Sequence, residues 1–269
     1  MAKSKKVVYT VITGGYDNIP VHKYVAKDWD YILFTDNKDL IKQGKYEHWT
    51  IKSLPFDGLD NVRNSRYPKI NAHIVLQEYD YSLYFDANII VNNKNIFDLA
   101  EDLISKDVLI ALPNHFERNC IYDEAEIVKE LKIDFPYIVD KEIRFLKNEK
   151  YPEHNGLTEN NIIFRQHNKI KPALDLWWYM VKKYSKRDQL SFMYAIWKTG
   201  VRYTPIYTNK EGFGFHRFSP DFTFVFSETH NQDRIIETKP LPKFIGRIFC
   251  CFIPIAKYRR KFRQKFVKD

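Results

Sequence analysis

The fold is decided by the stretch Tyr79-Asp80-Tyr81-Ser82-Leu83-Tyr84-Phe85-Asp86-Ala87-Asn88-Ile89-Ile90-Val91. Between Asp80 and Asp86 no charge interrupts a run of aromatic and aliphatic residues, which is how a strand reads when both faces of its sheet are covered. A carboxylate arrives where the run ends, and an amide follows two residues later. In extended backbone Asp86 and Asn88 share one side, so both oxygens can address one point. That point lies at the carboxyl end of a buried strand, where open α/β sheets bind their ligands. Hard oxygen donors suit Mg²⁺ or Mn²⁺, and such an ion neutralises a diphosphate. The same spacing also fits a strand followed by an Asp/Asn turn.

Upstream, Val7-Val8-Tyr9-Thr10-Val11-Ile12 reads as a first buried strand. It runs into Thr13-Gly14-Gly15-Tyr16-Asp17, where two glycines let backbone approach a ligand closely or simply make a tight turn. The pattern G-x-G-x-x-G is absent there, which argues against a dinucleotide fold of the NAD type. Asp30 to Asp36 reads as a second strand and Trp49-Thr50-Ile51 as a third. Over residues 61–79 the periodicity becomes helical. Ile70, Ile74 and Val75 mark an inner face, while Arg66, Lys69 and His73 recur at three- and four-residue spacing. Three cations on one stripe just ahead of Asp86 suit a diphosphate; otherwise they form a solvated face.

Downstream, residues 96–104 read as a helix and 108–112 as a strand. His115, Arg118, Asp123 and Glu124 gather around a helix start at Cys120 and are candidates for gripping a polar acceptor. Residues 129–149 read as a charged surface helix, 151–161 as a polar loop, and 162–164 as an apolar strand. Ser185 reads as a cap and Asp188 as a first-turn residue of a helix whose inner face is Leu190, Met193, Tyr194 and Trp197. On physical grounds alone the Asp188-Gln189 pair reads as helix capping. Strands alternating with helices at these spacings predict an α/β domain.

Composition narrows the class. A hydrophobic fraction of 44% with 16% aromatics excludes a disordered chain. The cysteines are Cys120 and the adjacent Cys250 and Cys251, which predicts no disulfide framework and a reducing, cytoplasmic compartment. No secretory-signal pattern opens the sequence. The net charge is +9, and residues 239–269 hold ten Lys/Arg against one acid, so the excess charge belongs to this tail. A neutral remainder argues against a nucleic-acid partner.

In order, YTVITGGYD, NSRYPKINAH, YSLYFDANI, CIYDEA, GLTENNIIFRQH and SKRDQLSF resemble a glycosyltransferase-like family long filed as a domain of unknown function. Its members come from bacterial polysaccharide loci and from plants, where they are mucilage-related. The resemblance spans roughly residues 7–194. More loosely, the layout is similar to retaining GT-A sugar transferases of the glycogenin type. The resemblance implies a single GT-A-like α/β domain with a mixed central sheet over residues 1–238, followed by a basic tail, 239–269. It implies transfer of a sugar from a nucleotide-diphosphate donor to a glycan or lipid-linked acceptor, in surface polysaccharide biosynthesis. Thr13, Gly14, Gly15, Tyr16 and Asp17 then line the nucleotide, and Arg66 and Lys69 face the diphosphate. Asp86 and Asn88 occupy the D-x-D positions, with Asn in place of the second Asp. They hold Mn²⁺ or Mg²⁺ together with a late histidine, His230 in preference to His216. Asp188 and Gln189 contact the donor sugar. Two rivals share the fold: a hydrolase acting on a glycan or lipid, and a non-catalytic binding domain.

The tail has its own pattern. Residues 244–256 are apolar but too short, and interrupted by Arg247, to cross a bilayer that needs about 20 residues. Tyr258, Phe262 and Phe266 then recur four apart among Lys257, Arg259, Arg260, Lys261, Arg263 and Lys265. Aromatics on one side and cations on the other describe a segment lying on an anionic membrane, at the inner face of the cell membrane. The full chain is therefore expected to sediment with anionic vesicles at low salt, and a chain ending at Thr238 to stay in solution. Equal sedimentation of the two, or indifference to lipid charge, contradicts this reading.

Overall fold

All seven residues of β1 (Lys6–Ile12) are buried. Val7, Tyr9 and Val11 enter one apolar cluster while Val8 and Ile12 enter another, so the strand is covered on both faces. The structure, a computed structural model, describes residues 4–227; His230 and the tail lie outside the described residues. After β1 come β2 (Asp30–Thr35), α1 (Lys38–Gln43), β3 (Lys45–Tyr46), β4 (Trp49–Ser53), α2 (Asn61–Ile70) and α3 (Ala72–Val75). Then follow β5 (Tyr81–Phe85), β6 (Ile89–Val91), α4 (Asn95–Ser105), β7 (Ile110–Pro113), α5 (Ile121–Glu130) and α6 (Pro136–Asn148). The last elements are β8 (Ile162–Gln166), α7 (Lys171–Lys183), α8 (Gln189–Thr199), β9 (Thr204–Ile206), a 3₁₀ turn at His216–Phe218, and β10 (Phe222–Phe224).

Eight strands form one sheet in the order β3-β4-β2-β1-β5-β8-β7-β9. β4, β2, β1 and β5 run parallel, whereas β8 is antiparallel to both β5 and β7. This is the expected α/β class with a mixed central sheet. Ile121, Val128, Val139, Trp177 and Phe192 pack helices α5 to α8 on one face. Ile96, Phe97, Ala100 and Leu103 of α4, with Trp29 and Trp49, cover the other. None of the described helices is long and apolar enough to cross a membrane.

The deciding stretch is not one continuous strand. β5 ends at Phe85, and Ile89 N–H donates to Asp86 C=O (3.0 Å) to close a turn. β6 then pairs with β10 in a separate two-stranded sheet. Strand alternation therefore does not set the directions of Asp86 and Asn88; the turn does. The helical pattern over 61–79 is likewise two helices. Asp60 caps α2 by accepting from Arg63 N–H (3.1 Å). Pro68 lies in the final turn, and Asn71 ends the helix with non-helical angles. The break destroys the register that would have buried Ile74, which is 46% exposed.

The segment leading into α8 is anchored by two buried acids. Asp134 Oδ2 accepts from Ser185 Oγ and from Lys186 N–H, both at 2.8 Å, and Glu142 Oε2 accepts from Ser185 N–H at 3.1 Å. Ser185 Oγ in turn accepts from Arg187 N–H (3.1 Å). Burial pushes the Glu142 carboxyl up to about 8; the Ser185 N–H opposes this and the Asp134 charge adds to it. In the unfolded chain the group ionises near 4.5. Between those values the folded state holds a proton that the unfolded state releases, so stability falls as pH rises, by up to about 1.4 kcal/mol per unit. Thermal melts of Glu142→Gln should accordingly lose less stability than the parent between about pH 5 and about pH 8. Parallel profiles contradict a buried, protonated Glu142.

Candidate active site

β1 and β5 are parallel neighbours, so Thr13 and Asp86 leave the sheet side by side at its carboxyl edge. Helix α2 supplies two cations there. Lys69 is 1% exposed, and its Nζ lies 3.2 Å from Asp86 Oδ1 and 3.0 Å from Asp188 Oδ2. Arg66 Nε lies 3.4 Å from Asp188 Oδ1. Tyr84 OH donates to Asp86 Oδ1 (2.7 Å), and its ring sits beneath the Lys69 ammonium at 5.1 Å. Asp188 occupies the N-cap position of α8, yet its side chain makes no capping bond. The capping account of Asp188 therefore gives way: its backbone carbonyl is held by Trp177 Nε1 (2.9 Å), and its carboxylate turns inward to the cations.

The charges brace one another. Burial alone would raise the Asp188 pKa, but Arg66, Lys69 and Arg187 hold the carboxyl well below the usual range. Asp86 behaves in the same way, with burial opposed by Lys69, Arg66 and the Tyr84 hydroxyl. Burial and the nearby Arg66 lower the Lys69 pKa, against the pull of Asp188 and Asp86. For Arg66 the two carboxylates outweigh burial and raise it. Burial, with the Asp86 charge, pushes the Tyr84 phenol well up.

Two cavities meet at this cluster and share Arg66, Asp86, Asn88 and Arg187. The larger, about 330 Å³, is also lined by Thr13, Tyr16, Asp17, Asn61 and Lys186. The smaller, about 90 Å³, is lined by Lys69, Glu159, Asn160, Asn161, Asp188, Gln189, Arg217, Phe224 and Phe226. On its wall the buried Asn160 Nδ2 and Asn161 Oδ1 have no partner among the described residues, whereas Arg66 Nε and Asp188 Oδ2 are engaged by the ion pairs above. Since buried polar groups are otherwise almost always paired, the two asparagine atoms, a donor and an acceptor, describe a seat for a ligand rich in hydroxyls.

The structure thus brings together Thr13, Tyr16, Asp17, Arg66, Lys69, Asp86, Asn88, Asp188 and Gln189. Gly14 and Gly15 line neither cavity; both take positive φ (63° and 64°), and the Gly14 N–H is engaged by Asp36 Oδ2 (2.8 Å). A Cβ on Gly14 would lie 2.8 Å from Asn61 Nδ2, so these glycines serve the turn. His73 leaves the cationic stripe because the helix breaks at Asn71, and its Nε2 faces Asp175 (3.4 Å). His216 is fully buried outside both cavities, and burial takes it down to about 4 despite Glu159 nearby. The group around Cys120 does not reach the cavities directly: Glu124 binds Arg118 (2.9 Å) and Arg187 (3.2 Å), fixing Arg187 where it lines both. Nothing in the residue pattern marked Arg187, Asn160, or the Glu159–Arg217 pair (2.9 Å), whose members are far apart in the chain. Adjacency to Asp188 was the available signal for Arg187.

Asp86 Oδ2 and the Asn88 amide oxygen are oxygen donors, on residues lining both cavities, that make no hydrogen bond among the described residues. Asp86 hydrogen bonds run through Oδ1 alone, while Asn88 is engaged through its backbone carbonyl, which accepts from Val225 N–H (2.8 Å). Both residues line both cavities, so this donor set fits a hard divalent ion that keeps further sites for water and phosphate oxygens.

The family model for the TOD1/MUCI70, glycosyltransferase-like domain matches residues 1–208. A probable hexosyltransferase, MUCI70 of Arabidopsis thaliana, is 25% identical over 213 residues, which are 69% of this chain and 36% of that protein. The chain thus spans about a third of the length of this curated relative. Solved structures with a likeness include mouse xyloside xylosyltransferase 1, with 9% identity over 75% of this chain and 85% of that one, at a TM-score of 0.43. Core-mannan synthase A of Aspergillus fumigatus, in a Mn/GDP form, has 10% identity over 72% and 70%, at 0.45. At scores this low the likenesses carry no weight for what this chain binds.

The buried cluster makes Asp188 the counterion of two cations, which a helix cap is not. Asp188→Asn should destabilise the chain by about 3 kcal/mol in denaturant unfolding, against at most about 1 kcal/mol for exchanging one good cap for another. Combining it with Lys69→Met should recover at least about 1 kcal/mol of that loss, because neither charge is then left alone. Strictly additive effects contradict the pairing.

Proposed function

Because the chain belongs to the TOD1/MUCI70 glycosyltransferase-like domain family, we propose that these cavities bind a nucleotide-diphosphate sugar and transfer its sugar to a glycan or lipid-linked acceptor. The observation that carries the reading is the junction itself. A larger cavity with Thr13, Tyr16 and Asp17 on its wall joins a smaller polar one across Arg66, Asp86, Asn88 and Arg187. A nucleoside fits the larger volume, a diphosphate the cationic neck, and the smaller polar cavity takes a hydroxyl-bearing edge of the sugar rather than enclosing it.

Arg66 and Arg187 face the diphosphate with planar guanidinium groups suited to phosphate oxygens. Lys69 is screened by two carboxylates, and its task is to hold Asp86 and Asp188 in place. Gln189 donates its amide N–H to Thr158 C=O (2.8 Å), which leaves its amide oxygen for a sugar hydroxyl. Asp188 stays ionised beside the smaller cavity, where negative charge favours a transition state with positive charge on the sugar. Asp86 and Asn88 would hold Mn²⁺ or Mg²⁺, an ion that supplies Lewis-acid stabilisation of the departing diphosphate. His230 is proposed as a further ligand from the motif resemblance alone. The division near residue 238, attachment of the tail to the inner face of the cell membrane, and a role in surface polysaccharide synthesis belong to the same proposal. They rest on charge pattern and resemblance.

Calorimetric titration with UDP or GDP tests the reading. Binding should require Mn²⁺ or Mg²⁺, and Asp86→Asn should weaken it by at least about tenfold, or about 1.4 kcal/mol. Failure of both nucleotides to bind, or equal affinity without metal, contradicts it. Release of free sugar from a donor, unaffected by any acceptor, would favour a hydrolase.

A further inference from the structure

Away from both cavities, Cys120, Asp123 and His154 each present a ligating atom, and these atoms all lie within 4.8 Å of one another. We infer that they form a second, separate metal site, for a thiolate-binding divalent ion of the Zn²⁺ class. Cys120 immediately precedes α5, Asp123 lies in that helix's first turn, and His154 comes from the loop ahead of β8. The residue before Cys120 ties the loop down: Asn119 C=O accepts from Gly156 N–H (2.9 Å), and Asn119 Oδ1 lies 2.8 Å from His154 Nδ1. Tyr122 OH adds a bond to Tyr151 C=O (2.7 Å).

Among the described residues the Cys120 thiol and the Asp123 carboxylate have no other partner, and His154 is held by Asn119 through Nδ1 alone, which leaves Nε2 for an ion. Cys120 is 2% exposed, forms no disulfide, and sits at the N-cap position without a side-chain capping bond. Among the described residues its sulfur makes no hydrogen bond, and the Asp123 carboxylate makes neither a hydrogen bond nor an ion pair. A buried thiol left unpartnered beside a free carboxylate and an imidazole is the donor set of a metal centre. Sulfur disfavours Mg²⁺, Ca²⁺ and Mn²⁺, whereas thiolate, imidazole and carboxylate together suit Zn²⁺ with a fourth position left to water. Bonds of about 2.0–2.3 Å require ligand atoms somewhat closer than they stand. Asp123 and His154 are both exposed and can turn inward to meet this. On binding, the Cys120 S–H releases its proton to solvent and the sulfur bonds to the ion. Thiolate and carboxylate then balance the ion's two charges.

The consequence is mechanical. The ion clips the 151–161 loop to α5, and the far end of that loop carries Glu159, Asn160 and Asn161 on the wall of the smaller cavity.

Co²⁺ added to the reduced full chain reports the site spectroscopically. One equivalent should produce a thiolate-to-cobalt charge-transfer band with intense tetrahedral d–d bands, and Zn²⁺ should bleach both. The bands should survive Cys250→Ser/Cys251→Ser and Asp86→Asn, since the active-site donors contain no sulfur, and should vanish in Cys120→Ser. His154→Ala and Asp123→Asn, at exposed positions where folding is not at stake, should each weaken Co²⁺ binding by at least about tenfold. Absence of the charge-transfer band in the parent, its persistence in Cys120→Ser, or unchanged affinity in both surface variants overturns the proposal.

Discussion

A lysine ammonium held between two carboxylates, with almost no access to water, is the constraint on which the rest of the structure depends. Lys69 is 1% exposed and Asp188 2%, so neither charge can be hydrated, and each is tolerable only because opposite charges, Asp86 and Asp188 for Lys69 and Lys69 with Arg66 for Asp188, surround it. Asp86 directly follows β5, Asp188 opens α8, and Lys69 lies near the end of α2. Three elements distant in the chain must therefore arrive together before any of these charges is satisfied. Arg66, Arg187 and Glu124 extend the same bracing outward, and Asp134 and Glu142 secure the backbone just before Asp188. A scaffold stiffened in this way can leave other polar atoms unpaired on a cavity wall, as it does with Asn160 Nδ2 and Asn161 Oδ1.

Most of the sheet was legible from the residues because burial on two faces writes continuous apolar runs. β1, β2, β5, β7 and β8 fall on such runs, whereas β4 is buried only at Trp49 and Ile51. Breaks were harder to see. Nothing in Phe85-Asp86-Ala87-Asn88 distinguishes strand from turn by period alone, and the turn followed from partners elsewhere, β8 for β5 and β10 for β6. Asn71 ends α2 in the middle of an apparently helical pattern, which is why Ile74 and His73 did not fall where periodicity placed them.

The site was legible in part. Local motifs marked Arg66, Lys69, Asp86, Asn88 and Asp188, and the structure gathers them. Physics applied locally misjudged Asp188, because a capping aspartate and a buried counterion look alike until Lys69 is placed beside it. Glu159 with Arg217, and Glu124 with Arg187, are pairs made only by the fold; no spacing rule connects them. The paired glycines carried two readings. They suggest a ligand cradle, yet positive φ and the close approach of Asn61 already account for them.

The central claim is that the neck between the two cavities, at Arg66, Asp86 and Arg187, holds the diphosphate of a nucleotide donor. Diffraction from crystals soaked with UDP or GDP and Mn²⁺ tests it most directly, because the anomalous signal of manganese locates the ion independently of the nucleotide. The account predicts an anomalous peak beside Asp86 and Asn88, with phosphate density reaching Arg66 and Arg187 and the base toward Thr13 and Tyr16. Manganese or nucleotide bound only elsewhere, with this neck occupied by water alone, would contradict it.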